Sequence, residues 1–154
     1  MCEKQAKKEA KASITAICLS DKKHIPKKPV NSADLNKDWG IVGDCHAGPG
    51  SRQVSLLFFD SIEKIKSRKV QISHGDFGEN LVISGITISE CSPGQLIRIG
   101  ENVIFEITII GKECHSPCRI YKAVGFCIMP EEGVFCKVVT CGKISLKDKV
   151  EFAC

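Results

Sequence analysis

The residues best suited to chemistry lie in a short polar loop, residues 114–119, with the sequence C-H-S-P-C-R. Cys118 precedes Arg119, and Cys114 is followed by His115. A thiol beside a cationic side chain favours its thiolate, which is a nucleophile, a carrier of sulfane sulfur or a soft metal ligand. Zinc is disfavoured, because the spacing is C-x-x-x-C and no second pair such as C-x-x-C occurs elsewhere in the chain. On spacing alone, two ordinary loop cysteines explain the pattern equally well.

A second group of candidates lies in the glycine-rich segment WGIVGDCHAGPG, residues 39–50. Asp44 and His46 can serve there as polar site groups, and the glycines allow a ligand to approach the backbone closely. With Arg52 just after it, the turn is also suited to hold an anion such as phosphate. It is not a P-loop, since the chain contains no GxxxxGK(S/T) motif. In isolation, a histidine in such a turn is more often hydrogen-bonded locally than functional.

The third candidate segment is GDFGEN, residues 75–80, another glycine-rich turn that leads into an apolar run. Glu79 and Asn80, together with Asp76, place acidic and amide groups in it. Each also has a simpler interpretation, because Glu79 can cap or pair locally and Asn80 can shape the turn. Five other cysteines lie in or next to apolar stretches and are interpreted as small packing residues: Cys18, Cys91, Cys127, Cys136 and Cys141.

Short strands must position these loops. Apolar, β-branched runs bounded by turn residues predict seven or eight strands, at residues 14–19, 53–59, 81–83, 95–99, 103–110, 133–140, 142–144 and 149–152. One helix is predicted near 60–69, where Asp60 and Glu63 form a capping-box-like start, and residues 118–124 can be helical. Without alternation of strands and helices, an all-β barrel or sandwich is favoured over a doubly wound α/β sheet. Two prolines and four lysines in segment 21–29 predict a surface loop without a regular element or a chemical role.

Length and composition indicate one globular domain of 154 residues, of which 43% are hydrophobic and 26% charged. We expect a basic N-terminal arm at 1–11 and a single domain over 12–154. Residues 1–30 hold eight lysines and three acids, a net charge of +5, so the chain's net charge of +4 leaves residues 31–154 at −1. A near-neutral body with 6% aromatic residues argues against nucleic-acid binding.

The sequence contains neither the apolar core of a signal peptide nor an apolar run of membrane-spanning length. We therefore expect a cytoplasmic protein with no membrane partner. In that compartment the ten cysteines are expected to be mostly reduced thiols, which directs attention to metal binding, sulfur chemistry or packing.

Taken in order, the candidate segments resemble a known family. Residues 40–48 (GIVGDCHAG) lead to RQVSLL at 52–57, and GDFGENL at 75–81 and the Cys118 loop follow. Together they resemble the MOSC domain, the molybdenum-cofactor sulfurase C-terminal domain family, over about residues 12–153. The chain is similar to the small stand-alone form, without the aminotransferase-like sulfurase partner or the N-terminal β-barrel domain of larger relatives.

The resemblance implies an all-β, MOSC-type β-barrel of about seven or eight strands with one or two short helices. It also implies that one loop cysteine carries sulfur as a persulfide or ligates molybdenum. By position that cysteine is Cys118, with Cys114 as the reserve candidate and His115 beside it. A soft thiolate suits either role.

The implied cofactor is the molybdenum cofactor, molybdopterin. Its phosphate is assigned to Arg52, with Arg119 or Lys112, because a guanidinium fork matches phosphate oxygens. The resemblance assigns to the same pocket five residues in or next to the two glycine-rich segments: Asp44, His46, Gln53, Glu79 and Asn80.

Three functions follow from the resemblance. The leading one is a domain that binds molybdenum cofactor or carries activated sulfur, taking it from a molybdopterin or sulfur donor protein and passing it to an acceptor molybdoenzyme. The second is a small molybdoenzyme that reduces N-hydroxylated compounds with an external electron donor, since the chain has no ferredoxin-like or flavin signature. The third is a non-catalytic interaction module of cofactor biosynthesis.

Overall fold

The computed structural model describes residues 12–23, 25–66, 72–111 and 128–153. Within these ranges it contains two α-helices, α1 (Phe59–Lys66) and α2 (Met129–Glu132), and a short 3-10 helix at Ile88–Glu90. The strands are β1 (Ala12–Leu19), β2 (Lys28–Val30), β3 (Ser32–Asn36), β4 (Gly40–Ile41), β5 (Val54–Phe58), β6 (Leu81–Ser84), β7 (Leu96–Ile99), β8 (Val103–Ile110), β9 (Val134–Thr140), β10 (Gly142–Ser145) and β11 (Lys149–Ala153).

Seven strands close into a barrel in the order β1-β6-β5-β9-β8-β7-β11, and β11 pairs back onto β1. β2 adds an eighth strand beside the end of β1, beyond the residues that pair with β11, and β3, β4 and β10 form a separate three-stranded sheet. The barrel core is filled by the inward residues of the alternating strands, as in β8, where Val103, Phe105 and Ile107 are buried. The predicted all-β barrel of seven or eight strands is confirmed.

One neighbouring pair of barrel strands is parallel, β5 with β6, and α1 connects them in the chain. Every residue of β5 is buried. Leu56 and Phe58 pack in the barrel core, whereas Leu57 packs in a second apolar cluster with Ile62 of α1 and Met129 of α2. A strand covered on both faces needs no polar alternation, which explains the continuous apolar run predicted as a buried strand.

The strand directions bring both glycine-rich segments to one end of the barrel. Because β5 and β6 are parallel, both strands begin at the same end of the barrel. The glycine-rich segments that precede them therefore lie at that end. β1 is antiparallel to β6, so β1 finishes there as well. Backbone hydrogen bonds join the three: the N–H of Cys45 donates to the carbonyl of Ser20, just after β1, at 2.7 Å, and the N–H of Cys18 in β1 donates to the carbonyl of Asn80 at 2.6 Å.

The segment predicted to lack regular structure contains β2, so that prediction was wrong. Lys28–Val30 pairs with β1, and Pro29 lies opposite Cys18. A proline is tolerated in an edge strand, where its missing N–H is not required for the sheet. The sequence analysis also did not predict β3 and β4. β3 has a mixed polar sequence, and its pairing with β10 stabilises it as a strand.

The predicted helix near 60–69 corresponds to α1, described over Phe59–Lys66. Residues 67–69 and the possible helix at 118–124 lie outside the described residues. In the part of the chain that the structure describes, no helix is long and apolar enough to cross a membrane.

Candidate functional site

Four side chains meet at the barrel end where the two glycine-rich segments lie, and we call them the Lys27 cluster: Lys27, Asp44, Cys45 and His46. The Nζ atom of Lys27 lies 2.8 Å from Oδ1 of Asp44, 2.9 Å from Nδ1 of His46 and 3.7 Å from Sγ of Cys45. The side chains of Lys27 and Asp44 are 1% and 0% exposed. Cys45 is half-buried and His46 is exposed. The cluster therefore extends from a buried ion pair to a partly accessible thiol and an exposed imidazole.

Asp44 anchors the cluster to the barrel through both carboxylate oxygens. Oδ1 accepts a hydrogen bond from the backbone N–H of Ser20 at 3.0 Å, and Oδ2 accepts one from the backbone N–H of His46 at 3.1 Å. Burial acts to raise the pKa of Asp44, but the hydrogen bond and charge of Lys27, with these two N–H groups, outweigh it and hold the pKa below its ordinary value. Asp44 is thus the carboxylate that a buried ammonium requires as its partner.

Lys27 also determines the tautomer of His46. An ammonium group only donates hydrogen bonds, so Nδ1 of His46 is the acceptor in the 2.9 Å contact. We therefore assign the ring proton to Nε2. The imidazole side chain is 46% exposed. His46 consequently carries its N–H at Nε2, in a ring whose orientation is set by the buried ion pair.

The second glycine-rich segment holds the backbone of Lys27. The N–H of Lys27 donates to the carbonyl of Gly75 at 2.8 Å. Gly75 has a φ of +94°, and a Cβ atom there would lie 2.0 Å from the carbonyl oxygen of Lys27. Only glycine fits this close approach. The two segments predicted from the sequence are therefore joined through Lys27, one at its backbone and the other at its ammonium group.

Glu79 shapes the second segment from inside the protein. It is fully buried, and its Oε2 and Oε1 atoms accept hydrogen bonds from the N–H groups of Gly75 at 2.7 Å and Phe77 at 3.1 Å. Burial raises the pKa of Glu79 to about 7, although the backbone N–H groups of Gly75, Glu79 itself and Phe77 act in the opposite direction. Both oxygens contact the backbone, so Glu79 positions Gly75 and, through it, Lys27.

Asn80 and Gln53 are also buried and hydrogen-bonded to the backbone. Oδ1 of Asn80 accepts from the N–H of Ser55 at 3.0 Å, and its Nδ2 donates to a carbonyl of β1 at 3.1 Å. Oε1 of Gln53 accepts from the N–H of Val138 at 2.9 Å, and its Nε2 donates to the carbonyl of Gly50 at 3.0 Å. These contacts hold β1, β5 and β9 in place at the barrel end where the Lys27 cluster lies.

Arg52 is exposed, and its guanidinium lies over the ring of Phe135, 5.5 Å from the ring centroid. No residue of the Lys27 cluster lines the cavity of about 380 Å³ that the structure describes near this part of the chain. That cavity is lined by Asp38, Pro49, Gly50, Ser51, Gln53, Thr108 and Lys137. The assignment of Arg52 to a phosphate group stays a prediction.

The loop predicted to carry the reactive thiol lies outside the described residues. The roles of its five candidate residues therefore stay predictions: Lys112, Cys114, His115, Cys118 and Arg119. The packing interpretation is confirmed for three of the other cysteines, which are buried: Cys18, Cys91 and Cys136. It is wrong for Cys141, which is exposed in the turn between β9 and β10. Cys127 lies outside the described residues.

The sequence did not indicate two members of the Lys27 cluster. Lysines in a proline-rich segment are normally solvated, whereas the structure buries Lys27 against a carboxylate 17 positions further along the chain. Cys45 has no sequence signal of its own beyond its place between Asp44 and His46. Those two flanking residues were predicted for the site, and the structure brings them together.

Comparisons with known proteins agree with this architecture. A family model for the MOSC domain matches residues 42–151, a range that includes the Asp44 and Glu79 segments and the Cys118 loop. The chain is similar to the crystal structure of YuaD from Bacillus subtilis, with a TM-score of 0.75 and 17% identity over 93% of this chain and 96% of that one. It is also similar to YiiM from Geobacillus stearothermophilus, with a TM-score of 0.72 and 16% identity over 92% of this chain and 75% of that one.

YiiM from Escherichia coli is similar as well, with a TM-score of 0.62 and 17% identity over 92% of this chain and 70% of that one. At these identities the likeness to solved structures shows the fold alone. No sequence among curated proteins matches the chain significantly.

Proposed function

The chain belongs to the MOSC domain family, and on that premise we propose that it binds the molybdenum cofactor or carries activated sulfur, which it delivers through Cys118. The family is linked to molybdenum cofactor-related function. The donor of the sulfur or cofactor and the acceptor molybdoenzyme are separate proteins in this proposal. The observation that carries it is the Lys27 cluster, which includes Asp44 and His46 of the first segment by which the chain resembles the family and is hydrogen-bonded to Gly75 of the second.

The described donor groups suit an anionic ligand that contains sulfur. His46 supplies an Nε2–H donor on a side chain that is 46% exposed. The ammonium group of Lys27, whose side chain is 1% exposed, contacts Asp44, His46 and Cys45, so it adds positive charge behind His46 without contacting the ligand. The buried pair with Asp44 holds these groups in place before any ligand arrives. A preorganised set of donors binds an anion with little further ordering cost.

Each residue has a distinct part in the proposal. His46 donates to an oxygen or sulfur atom of the ligand, Lys27 orients His46, and Arg52 binds a phosphate group. Cys118 holds the transferred sulfur or ligates the metal. When bound, the cofactor would supply a redox-active metal held by soft sulfur ligands.

The test is anaerobic purification of the full chain from a host that makes molybdopterin, followed by assay of molybdenum, zinc and cyanide-releasable sulfur. The wild type is compared with Cys118→Ser and with the matched control Cys141→Ser, whose thiol is exposed and has no role in the proposal. We expect molybdenum or releasable sulfur in the wild type, its loss in Cys118→Ser and its retention in Cys141→Ser. Zinc that persists in Cys118→Ser, with neither other signal in the wild type, would overturn the proposal.

Two further variants locate the ligand within the site. Arg52→Ala should weaken cofactor retention and leave the sulfur signal unchanged, because the phosphate contact is not part of the sulfur carrier. Cys114→Ser should behave as wild type. If Cys114→Ser loses the signal while Cys118→Ser retains it, the reactive cysteine is Cys114 and the assignment of Cys118 is wrong.

A further inference from the structure

Cys45 is a second candidate thiol that the proposed function does not use. Its Sγ atom lies 3.7 Å from Nζ of Lys27 and 3.5 Å from Nδ1 of His46. The residue is half-buried, so a small reagent can reach the sulfur while the protein still surrounds it. Among the described cysteines this combination of accessibility and a contacting ammonium group belongs to Cys45 alone.

The same geometry argues against a metal ion in this cluster. Asp44, Cys45 and His46 each offer a ligand atom, and these atoms lie within 4.8 Å of one another. However, Nζ of Lys27 contacts all three side chains, at 2.8 to 3.7 Å. The protein's own ammonium group therefore occupies the place of a cation, and a second positive ion there would be repelled.

The same ammonium group favours a sulfur nucleophile beside it. Thiolates are the reactive form of cysteine, and neighbouring cations stabilise them. Nζ of Lys27 contacts Sγ of Cys45 at 3.7 Å, and the carboxylate of Asp44, within 4.8 Å of that sulfur, offsets part of this effect. Burial raises the pKa of the thiols of Cys18 and Cys91 to about 12 and about 11, and Cys136 is fully buried. Cys141 is more exposed than Cys45. The two accessible thiols therefore provide a comparison in which exposure alone favours Cys141.

We propose that Cys45 is a second sulfur-accepting thiol of this site, which takes sulfane sulfur from a persulfide donor. The Cys45 thiolate attacks the outer sulfur of the donor R–S–SH and forms a new S–S bond. The donor's own S–S bond breaks, and its thiolate R–S⁻ leaves and takes up a proton. The sulfur moves without change of oxidation level, so no oxidant is required. This inference rests on the proposed sulfur-carrier function and adds a second acceptor to it.

The experiment treats the reduced full-length chain with glutathione persulfide, quenches by alkylation at timed intervals and reads each cysteine by mass spectrometry of tryptic peptides. Cleavage after lysine and arginine isolates Cys45 in peptide 38–52 and Cys141 in peptide 138–143. Cys118 lies in peptide 113–119, together with Cys114, and fragmentation separates the two. Each thiol therefore reports independently, so failure at Cys45 is distinguishable from failure at Cys118.

We expect persulfide to form severalfold faster on Cys45 than on Cys141, although Cys141 is the more exposed thiol. The double variant Lys27→Met/Asp44→Asn removes the ammonium group without leaving a buried unpaired charge. In it, the rate at Cys45 should fall severalfold, because the lost ammonium group contacts the sulfur whereas the lost carboxylate offsets only part of its effect, and the rate at Cys141 should stay unchanged. His46→Gln is a second variant, at an exposed position, that tests the imidazole contact without altering the buried pair.

Two results would overturn the inference: a rate at Cys45 no higher than at Cys141, or a rate at Cys45 that the double variant leaves unchanged. Circular dichroism of the double variant shows whether the barrel is intact. If that variant does not fold, a severalfold slower reaction at Cys45 in His46→Gln supports the inference and an unchanged one contradicts it. Persulfide on Cys118 but not on Cys45 would leave the proposed function in place and refute this extension of it.

Discussion

The buried pair of Lys27 and Asp44 makes a strong prediction about stability. Lys27→Met keeps the length of the side chain but leaves Asp44, whose side chain is 0% exposed, without its counter-ion. Removing one partner of a buried ion pair costs about 3–5 kcal/mol. Because Asp44 retains the N–H donors of Ser20 and His46, we expect the lower end, about 3 kcal/mol. For a chain of this size that loss lowers Tm by roughly 10 °C.

Urea unfolding at 25 °C, followed by circular dichroism, measures the change directly. The matched control is Lys27→Met/Asp44→Asn, which removes both charges and retains one acceptor oxygen in place of the two that receive the N–H groups of Ser20 and His46. The double variant should lose less free energy of unfolding than Lys27→Met alone, because it leaves no buried charge unpaired. A loss below about 1 kcal/mol in Lys27→Met, or a double variant less stable than either single variant, would refute this account of the pair.

Acidification provides an independent check of the same pair. The pKa of Asp44 lies below its ordinary value of 3.8 in the folded protein. Its contribution to stability is therefore complete above about pH 4 and is lost as the pH falls through the lowered pKa. In Lys27→Met the orphaned Asp44 can be neutralised by a proton, so the deficit against wild type should shrink between pH 7 and pH 4. A deficit that does not depend on pH would contradict the assignment of a charged Asp44.

Two further predictions concern the second glycine-rich segment. Gly75→Ala should destabilise the protein by at least about 2 kcal/mol more than Gly94→Ala. The two glycines have similar φ, +94° and +96°, but only at Gly75 would a Cβ atom lie against the Lys27 carbonyl. Equal losses of stability in urea unfolding would contradict this. Burial raises the pKa of Glu79 from 4.5 to about 7, so the folded state retains that proton more tightly and stability should fall by roughly 3 kcal/mol between pH 4.5 and 7. Glu79→Gln should lack this part of the pH dependence, and a variant with the wild-type slope would show that Glu79 does not titrate there.

The barrel strands were predictable because their side chains follow local rules. β8, at Val103–Ile110, alternates buried and half-buried residues, and the sequence predicts it with the same bounds. β5 is a continuous apolar run because the barrel core and α1 cover its two faces. β2 was missed because its proline is unfavourable in most strands, and only its place at the edge of the sheet makes it acceptable.

The site was predictable only in part. Asp44 and His46 stand two positions apart in a glycine-rich segment, so the sequence indicated both as site groups. Glu79 and Asn80 were indicated as well, but their side chains are buried and hydrogen-bonded to backbone groups. Residue type alone does not distinguish a side chain that holds a loop in place from one that contacts a ligand. Lys27 was missed, because its burial depends on a carboxylate that is distant in the chain.

By itself the sequence determined the all-β class, the order of the barrel strands along the chain and the two glycine-rich segments, because turn chemistry and side-chain alternation act over a few neighbouring residues. Only the tertiary structure decided that these segments share one barrel end, since that follows from the parallel pairing of β5 with β6. It also decided that Lys27 lies at the centre of a site. Burying an ammonium group is favourable only where folding brings it a carboxylate, and here that carboxylate is Asp44.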